Sequence, residues 1–312
     1  MRKNEPIQLN DRIHLIDGYD MGVAERTGTY VINEVELTIV ETGPSPSVNY
    51  VKDGLKSLGF SLDQVKYIIV THIHLDHAGG VGLLLQDCPN AQVVVHPRGA
   101  RHLAEPERLI AGAKVVYGDR FSELFDPILP VSESRLLIKG EGGTLKIGPT
   151  CTLEFLDTPG HSKHHFSIYD PVSNGLFTGD TVGVRYSQLI RDGVQLFLPS
   201  TSPNQFEPEA MRAAIERMLE MNLDAIYYGH FGMTNEPDRA LRQVAEWLSV
   251  FMDEAQAVVA EKGGHVLLAE RLTNRVKEYL KKQGVIDDHN ELRIIDLDME
   301  VSAMGIMDFL SK

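Results

Sequence analysis

The stretch Thr71-His72-Ile73-His74-Leu75-Asp76-His77-Ala78-Gly79-Gly80 restricts the folding of this chain more than any other. The β-branched run Tyr67-Ile68-Ile69-Val70 precedes it, and Val81-Gly82-Leu83-Leu84-Leu85 follows. That order reads as strand, loop and helix, with three histidines and an aspartate in the loop. So many polar side chains in one short segment cannot be buried without partners. Imidazole and carboxylate together are the donor set of a borderline cation such as zinc. A loop that is His-rich by accident is the competing reading, and the rest of the chain counts against it.

Composition sets the bounds. A chain of 312 residues, 43% hydrophobic and 24% charged, is an ordinary globular protein able to bury a sizeable core. A formal net charge of -14 argues against nucleic acid or an anionic membrane as partner. The two cysteines, Cys88 and Cys151, have no metal-type spacing and fit a reduced, cytoplasmic chain. Met1-Arg2-Lys3-Asn4-Glu5-Pro6 starts basic but leads into no apolar segment, so no secretory leader is expected. No run approaches the length of a membrane span.

Before the His-rich loop, short β-rich runs alternate with turns: Ile13–Ile16, Thr29–Ile32 and Val35–Val40, the last two read as an antiparallel pair. A loop from Asp17 to Gly28 is long enough to reach over a neighbouring site. Val48 to Leu58 has helical spacing. After the loop come a helix near Val81–Asp87 and a strand, Gln92–His96. The segment 98–140 is mixed, with short helical pieces at Arg101–Leu109 and Asp119–Leu124, and reads as an insertion capping the substrate side. Strands resume at Thr144–Ile147 and Cys151–Leu156, then Phe166–Tyr169 and Gly175–Thr178 form a hairpin. A helix at Pro208–Glu220 and a strand at Ala225–Tyr228 follow. The expected division is a catalytic domain over 1–235 and a helical extension over 236–312. In the extension, helices are expected at Arg239–Glu261, Leu268–Gln283 and Leu297–Leu310, the third after a short extended piece, Leu292–Ile295.

Three further strand ends deliver the same residue types. His161 follows Thr158-Pro159-Gly160, Asp180 follows Thr178-Gly179, and His230 follows Tyr228-Gly229. Glycine before a ligand lets the backbone turn sharply and the side chain approach an ion. Seven such ligands exceed one tetrahedral zinc and suit two metals, each with an open position.

In this order and spacing, from about Ile13 to Gly232, the chain resembles the metallo-β-lactamase-fold metallohydrolases. Thr158-Pro159-Gly160-His161 and Phe177-Thr178-Gly179-Asp180-Thr181 are most similar to the glyoxalase II-like and lactonase-like branches. The resemblance implies an α/β fold, a four-layer αββα sandwich with a helical C-terminal extension. It implies that His72, His74 and His161 hold one metal, that Asp76, His77 and His230 hold a second, and that Asp180 bridges. Two divalent ions are expected, zinc first, with iron or manganese also suited to these donors. The expected reaction is attack on an ester, thioester or lactone carbonyl by a metal-bridging hydroxide, with Asp76 and Asp180 as catalytic carboxylates and Asp76 or a nearby tyrosine protonating the leaving group. A phosphodiester is the less favoured substrate. The substrate is read as a small molecule, and the C-terminal helices as a surface for homodimer formation.

Two rivals remain. One is an iron-dependent oxidoreductase of the same fold, persulfide dioxygenase-like; the other is a non-catalytic sensor that keeps its metals. In lactonases of this kind a tyrosine stands three residues after the bridging aspartate, where this chain has Gly183, with Tyr186 three further on. Arg185 stands in a possible place for gripping an anionic substrate, with no basic cluster around it. Among weaker candidates, His165 reads as a ligand-orienting or core histidine, His164 as exposed, and His96 and His102 as structural. Of Tyr227 and Tyr228, one is expected in the core and the other facing substrate; Tyr50 is expected to pack on a helix. Thr71 and Thr158 are read as orienting ligands or satisfying strand ends. Met299, Val301, Met304, Met307 and Leu310 read as a core-facing stripe.

Overall fold

Strands buried on both faces read as unbroken apolar runs, and Ile68–Val70 and Val93–Val95 are such runs. The computed structural model describes residues 5–286 and 288–312. Residues 1–4, on which the expectation about a leader rests, lie outside them. The first sheet takes its strands in chain order: β1 (Ile7–Gln8), β2 (Ile13–Asp17), β3 (Gly28–Ile32), β4 (Leu37–Val40), β5 (Val65–Ile69), β6 (Gln92–Val95) and β7 (Leu136–Ile138). Pairing is antiparallel as far as β4 and parallel from β4 to β7. The expected β3–β4 pair forms, with Tyr30 opposite Val40. It starts at Leu37, because Val35 lies in the turn and is 75% exposed.

Between these strands run α1 (Val48–Ser57), α2 (Leu75–Ala78), α3 (Val81–Leu85), α4 (Pro97–Ala104), α5 (Glu107–Tyr117) and α6 (Phe121–Phe125). The segment 98–140 thus supplies α4, α5 and α6 and returns to the sheet as β7. The second sheet begins with β8 (Thr144–Lys146), β9 (Thr152–Asp157), β10 (Phe166–Asp170) and β11 (Gly175–Gly179). A ribbon of β12 (Val184–Arg185) and β13 (Phe197–Leu198) intervenes before β14 (Ala225–Tyr228) and β15 (Met233–Thr234). The second sheet's order is β15-β14-β11-β10-β9-β8, so β14 lies parallel beside β11. The predicted β10–β11 hairpin forms, with Ile168 opposite Phe177.

Alternation along the strands decides which core each side chain joins. Tyr30, Ile32, Val40, Ile69 and Val94 meet Phe155, Phe166, Ile168, Phe177 and Tyr227 of the second sheet. Val31, Ile39, Ile68 and Val93 point the other way, onto Val51 and Leu55 of α1, Leu84 of α3 and Leu103 of α4. At one edge Arg12 ties strands together: Nε donates to Glu34 Oε1 at 2.6 Å and Nη1 to Asp170 Oδ2 at 2.9 Å. Its Nη2 reaches Cys151 Sγ at 3.2 Å. Cys88 and Cys151 are buried and unbridged, and burial pushes each thiol up to about 12.

Contacts divide the chain into two compact units. The first runs to Asp157 and adds His164–Gly179 and Asp224–Asn235; it holds both large sheets and α1 to α6. The second comprises Thr158–Lys163, Asp180–Leu223 and Glu236–Lys312. It holds β12, β13, α7 (Ser187–Arg191), α8 (Pro208–Glu220), α9 (Pro237–Ala260), α10 (His265–Lys282) and α11 (Leu292–Leu310). The extended piece expected at Leu292–Ile295 is instead the first turn of α11. Two β-branched residues are too weak a signal to outweigh a helix whose buried face runs Ile295, Met299, Ser302, Ala303 and Ile306. Of the methionine stripe only Met299 is fully buried; Val301, Met304, Met307 and Leu310 are half-buried. No helix among the described residues is long and apolar enough to cross a membrane.

Phe177 stacks on Tyr227 with ring centroids 4.5 Å apart and meets the edge of Tyr30 at 5.2 Å. Phe177→Ala leaves a ring-sized void between the sheets and should cost about 3–5 kcal/mol, read as a lower denaturation midpoint in urea at unchanged m-value.

Candidate metal centre

The end of β5 hands the backbone to Thr71, and α2 begins directly after His74. One buried carboxylate organises what lies between. Glu41 follows β4, with a left-handed φ of 65° and its N–H bonded to Ile69 O at 2.8 Å. Its Oε1 accepts from Thr71 N at 3.1 Å and, through a very short bond, from Thr71 Oγ1. Thr71 Oγ1 in turn lies 3.0 Å from His72 Nδ1. The other oxygen, Oε2, stands 3.8 Å from His77 Nδ1. A single side chain therefore reaches both motif imidazoles from behind, which leaves their Nε2 atoms to face a cation. In sequence, Glu41 was only the end of a meander; a carboxylate directly after Ile39-Val40 was its sole signal.

Within the first unit, Asp76, His77 and His230 come together, their ligand atoms all within 4.8 Å of one another. Asp76 Oδ2 lies 3.4 Å from His77 Nε2 and 3.7 Å from His230 Nε2. The rings of His72 and His74 are 4.6 Å apart, and those of His72 and His77 4.3 Å. His74 and Asp76 are half-buried, so the group opens on their side. His165 packs 5.1 Å from His72. Gly179 makes this possible: it has a φ of 48°, and a Cβ there would overlap His165 Nε2 and Thr71 Oγ1.

The Asp17–Gly28 loop does reach this group. Asp20 is buried, 3.7 Å from Arg26 Nε, and its carboxyl is raised to about 6. Burial is the chief cause, opposed by Arg26 and reinforced by Asp76, with smaller opposition from His230 and His77. Nothing in the sequence set Asp20 apart from other loop carboxylates.

Several expectations need correction. His164 is buried, not exposed: Phe166 N donates to Thr71 O at 3.0 Å, drawing that turn against the motif, and the His164 ring lies 5.4 Å from His74. Tyr227 and Tyr228 are both buried, Tyr228 because its carbonyl accepts from Tyr30 Oη at 2.7 Å. Tyr50 is 40% exposed and lies against Tyr19, at 4.9 Å. His96 is structural, as expected: it caps α4, with Nδ1 accepting from Arg98 N at 3.1 Å and Nε2 3.4 Å from Asp157.

The second unit carries the other two ligand-type residues. His161 Nε2 and Asp180 Oδ2 are 3.6 Å apart, both buried. His161 Nδ1 lies 2.9 Å from Ser200 O, and Thr181 Oγ1 donates to Thr158 O at 2.7 Å. Gly183 has a φ of 81°, and a Cβ there would overlap Leu198 O across the β12–β13 ribbon, so no tyrosine fits that position. Tyr186 is buried, with its hydroxyl donating to Asp298 Oδ2 at 3.0 Å. Arg185 Nη1 donates to Ser187 Oγ at 2.7 Å.

A family model described as the metallo-beta-lactamase superfamily matches residues 26–230. The metallo-beta-lactamase fold-containing protein ST1585 of Sulfurisphaera tokodaii is 25% identical over 228 residues, 72% of this chain and 79% of that one. The crystal structure of metallo-beta-lactamase family protein TTHA1429 from Thermus thermophilus covers 97% of this chain and 94% of its own, at TM-score 0.67 and 18% identity. That likeness shows the fold, the αββα sandwich with C-terminal helices. N-acyl homoserine lactonase AttM of Agrobacterium fabrum is 30% identical over 116 residues, 37% of this chain and 40% of its own.

Two outcomes follow from the site. Glu41→Gln removes the charge behind His72 and His77 and should weaken metal retention by about 10–100-fold, measured by competition with a chelator. Asp17, whose oxygens accept from Tyr19 N and Glu25 N at 2.9 Å each, has its carboxyl raised from 3.8 to about 6, chiefly by burial. The folded state therefore holds this proton more tightly, so the contribution to stability is complete below 3.8 and lost as pH rises through about 6. Asp17→Asn should flatten the fall in Tm across that window; an unchanged slope would contradict this assignment.

Proposed function

The chain belongs to the metallo-β-lactamase superfamily, and on that premise we propose that it is a metal-dependent hydrolase of a small-molecule ester, thioester or lactone. The observation that carries the reading is the meeting of Asp76, His77 and His230 in the first unit. Mixed imidazole and carboxylate donors at this spacing suit divalent zinc, iron or manganese. In this reading Asp76, His77 and His230 would hold one ion, and His72, His74 and His161, with Asp180, would hold a second. Ions bound there supply Lewis acidity, polarising a carbonyl oxygen and bringing the pKa of a water toward 7.

The chain's own groups do the rest. Glu41 orients His72 through Thr71 and sets a carboxylate charge 3.8 Å from His77 Nδ1. Asp76, at the open side, is placed to pass a proton to the leaving group. Asp20, buried, and Arg26, half-buried, pair beside it. The lactonase relative matched over 116 residues supports carbonyl chemistry. Gly183 in place of a tyrosine means that any hydroxyl assisting the substrate comes from another position.

The test is metal analysis of the purified protein together with a panel of lactones, thioesters, aryl esters and phosphodiesters. We expect close to two equivalents of a transition metal and turnover of a carbonyl substrate, lost by at least about 100-fold in His74→Ala. Protein without stoichiometric metal whose activity survives His74→Ala would sink the proposal. One equivalent of iron with oxygen consumption would replace it with an oxygenase.

A further inference from the structure

The segment that follows β13 touches both ligand-type residues of the second unit. Ser200 contributes twice: its carbonyl lies 2.9 Å from His161 Nδ1, and its Oγ donates to Asp180 Oδ2 at 3.3 Å. Ser202 Oγ donates to the His161 carbonyl at 3.0 Å. With Nδ1–H donating to Ser200 O, the lone pair of His161 is on Nε2, the atom 3.6 Å from Asp180 Oδ2.

This segment is in turn held by the last helix. Thr201 Oγ1 donates to Ser302 O at 2.8 Å, and Asn204 N donates to Asp308 Oδ2 at 3.1 Å. Lys312 Nζ reaches Asn204 O at 3.0 Å and Asp308 at 2.7 Å. Phe206 meets Phe309 edge to face at 5.9 Å. Gly305 lies so close to Thr201 and Ser202 that a Cβ would overlap the Thr201 carbonyl. Asp298, Ser302, Gly305 and Phe309 recur at steps of four, three and four, one face of a helix. That face docks on Tyr186 and on the segment from Thr201 to Phe206.

We propose that α11 is a positioning element for the metal centre: through the Ser200–Ser202 segment it fixes His161 and Asp180, with Ser200 as the positioning residue. The inference rests on the metal-dependent reading above, because it concerns two of that reading's ligands. The extension over 236–312 carries none of those ligands; these contacts connect its last helix to two of them. Removal of the Ser200 hydroxyl takes one hydrogen bond from Asp180 Oδ2, while the main-chain acceptor for His161 remains. Removal of the Thr201 hydroxyl loosens the segment from the helix without touching either ligand.

The experiment is cobalt(II) binding to the full-length, metal-stripped protein, read by its visible absorption and by competition with a chelator. Ser200→Ala and Thr201→Val should each weaken cobalt retention by about 10–100-fold and shift the absorption bands. Ser200→Thr should restore both properties, and Glu300→Ala, on the exposed face of α11, should leave both unchanged. Thermal unfolding of the metal-free variants should match that of the parent chain, which separates positioning from general damage. Parent-like cobalt affinity and spectra in both Ser200→Ala and Thr201→Val would overturn the proposal, as would weakening confined to variants that unfold at lower temperature. Neither readout requires turnover, so a protein that passes these tests and hydrolyses nothing refutes the hydrolase reading alone.

Discussion

A buried carboxylate must be compensated, and Glu41 is compensated by the backbone and side chain of Thr71 and by the neighbouring imidazole of His77. The parallel pairing of β4 and β5 makes this arrangement available, because parallel strands end on the same side of the sheet. Glu41 follows one strand and the histidine motif follows the other, so the charge and the rings it orients meet at the sheet end. The left-handed backbone at Glu41 carries a conformational cost of about 1 kcal/mol or more in a non-glycine residue. The surrounding contacts hold it there. Sheet, turn and imidazole orientation thus depend on one side chain.

Ligand-type residues were visible in the sequence because each follows a strand-like run and a turn, and such punctuation survives without tertiary information. The structure brings Asp76, His77 and His230 together in the first unit and places His161 beside Asp180 in the second. The supporting groups were not visible. Glu41, Asp20 and Ser200 are common residue types at unremarked positions, and their roles come from partners distant in sequence. His164 was misread for a related reason: a polar residue in a turn is normally solvated, and only the bond from Phe166 N to Thr71 O draws this turn inward.

Most of the strands and helices were legible from apolar periodicity, including the β10–β11 hairpin and α8. The failures fall where local preference and packing disagree. Leu292–Ile295 has strand-like composition but lies on a helix whose other residues bury a continuous face. The grouping of 180–223 with the C-terminal helices carries no mark in composition at all. It arises from contacts such as Tyr186 with Asp298 and Thr201 with Ser302.

The neighbours in the second sheet also have a temporal meaning. β14 lies against β11, yet the chain between them, from Asp180 to Asp224, is made before β14 exists. At about 5–20 residues per second, a ribosome leaves the β11 edge without its partner for several seconds. Throughout that interval the nascent chain presents an open strand of Leu176 and Phe177, the kind of surface on which chaperones act and neighbouring chains aggregate.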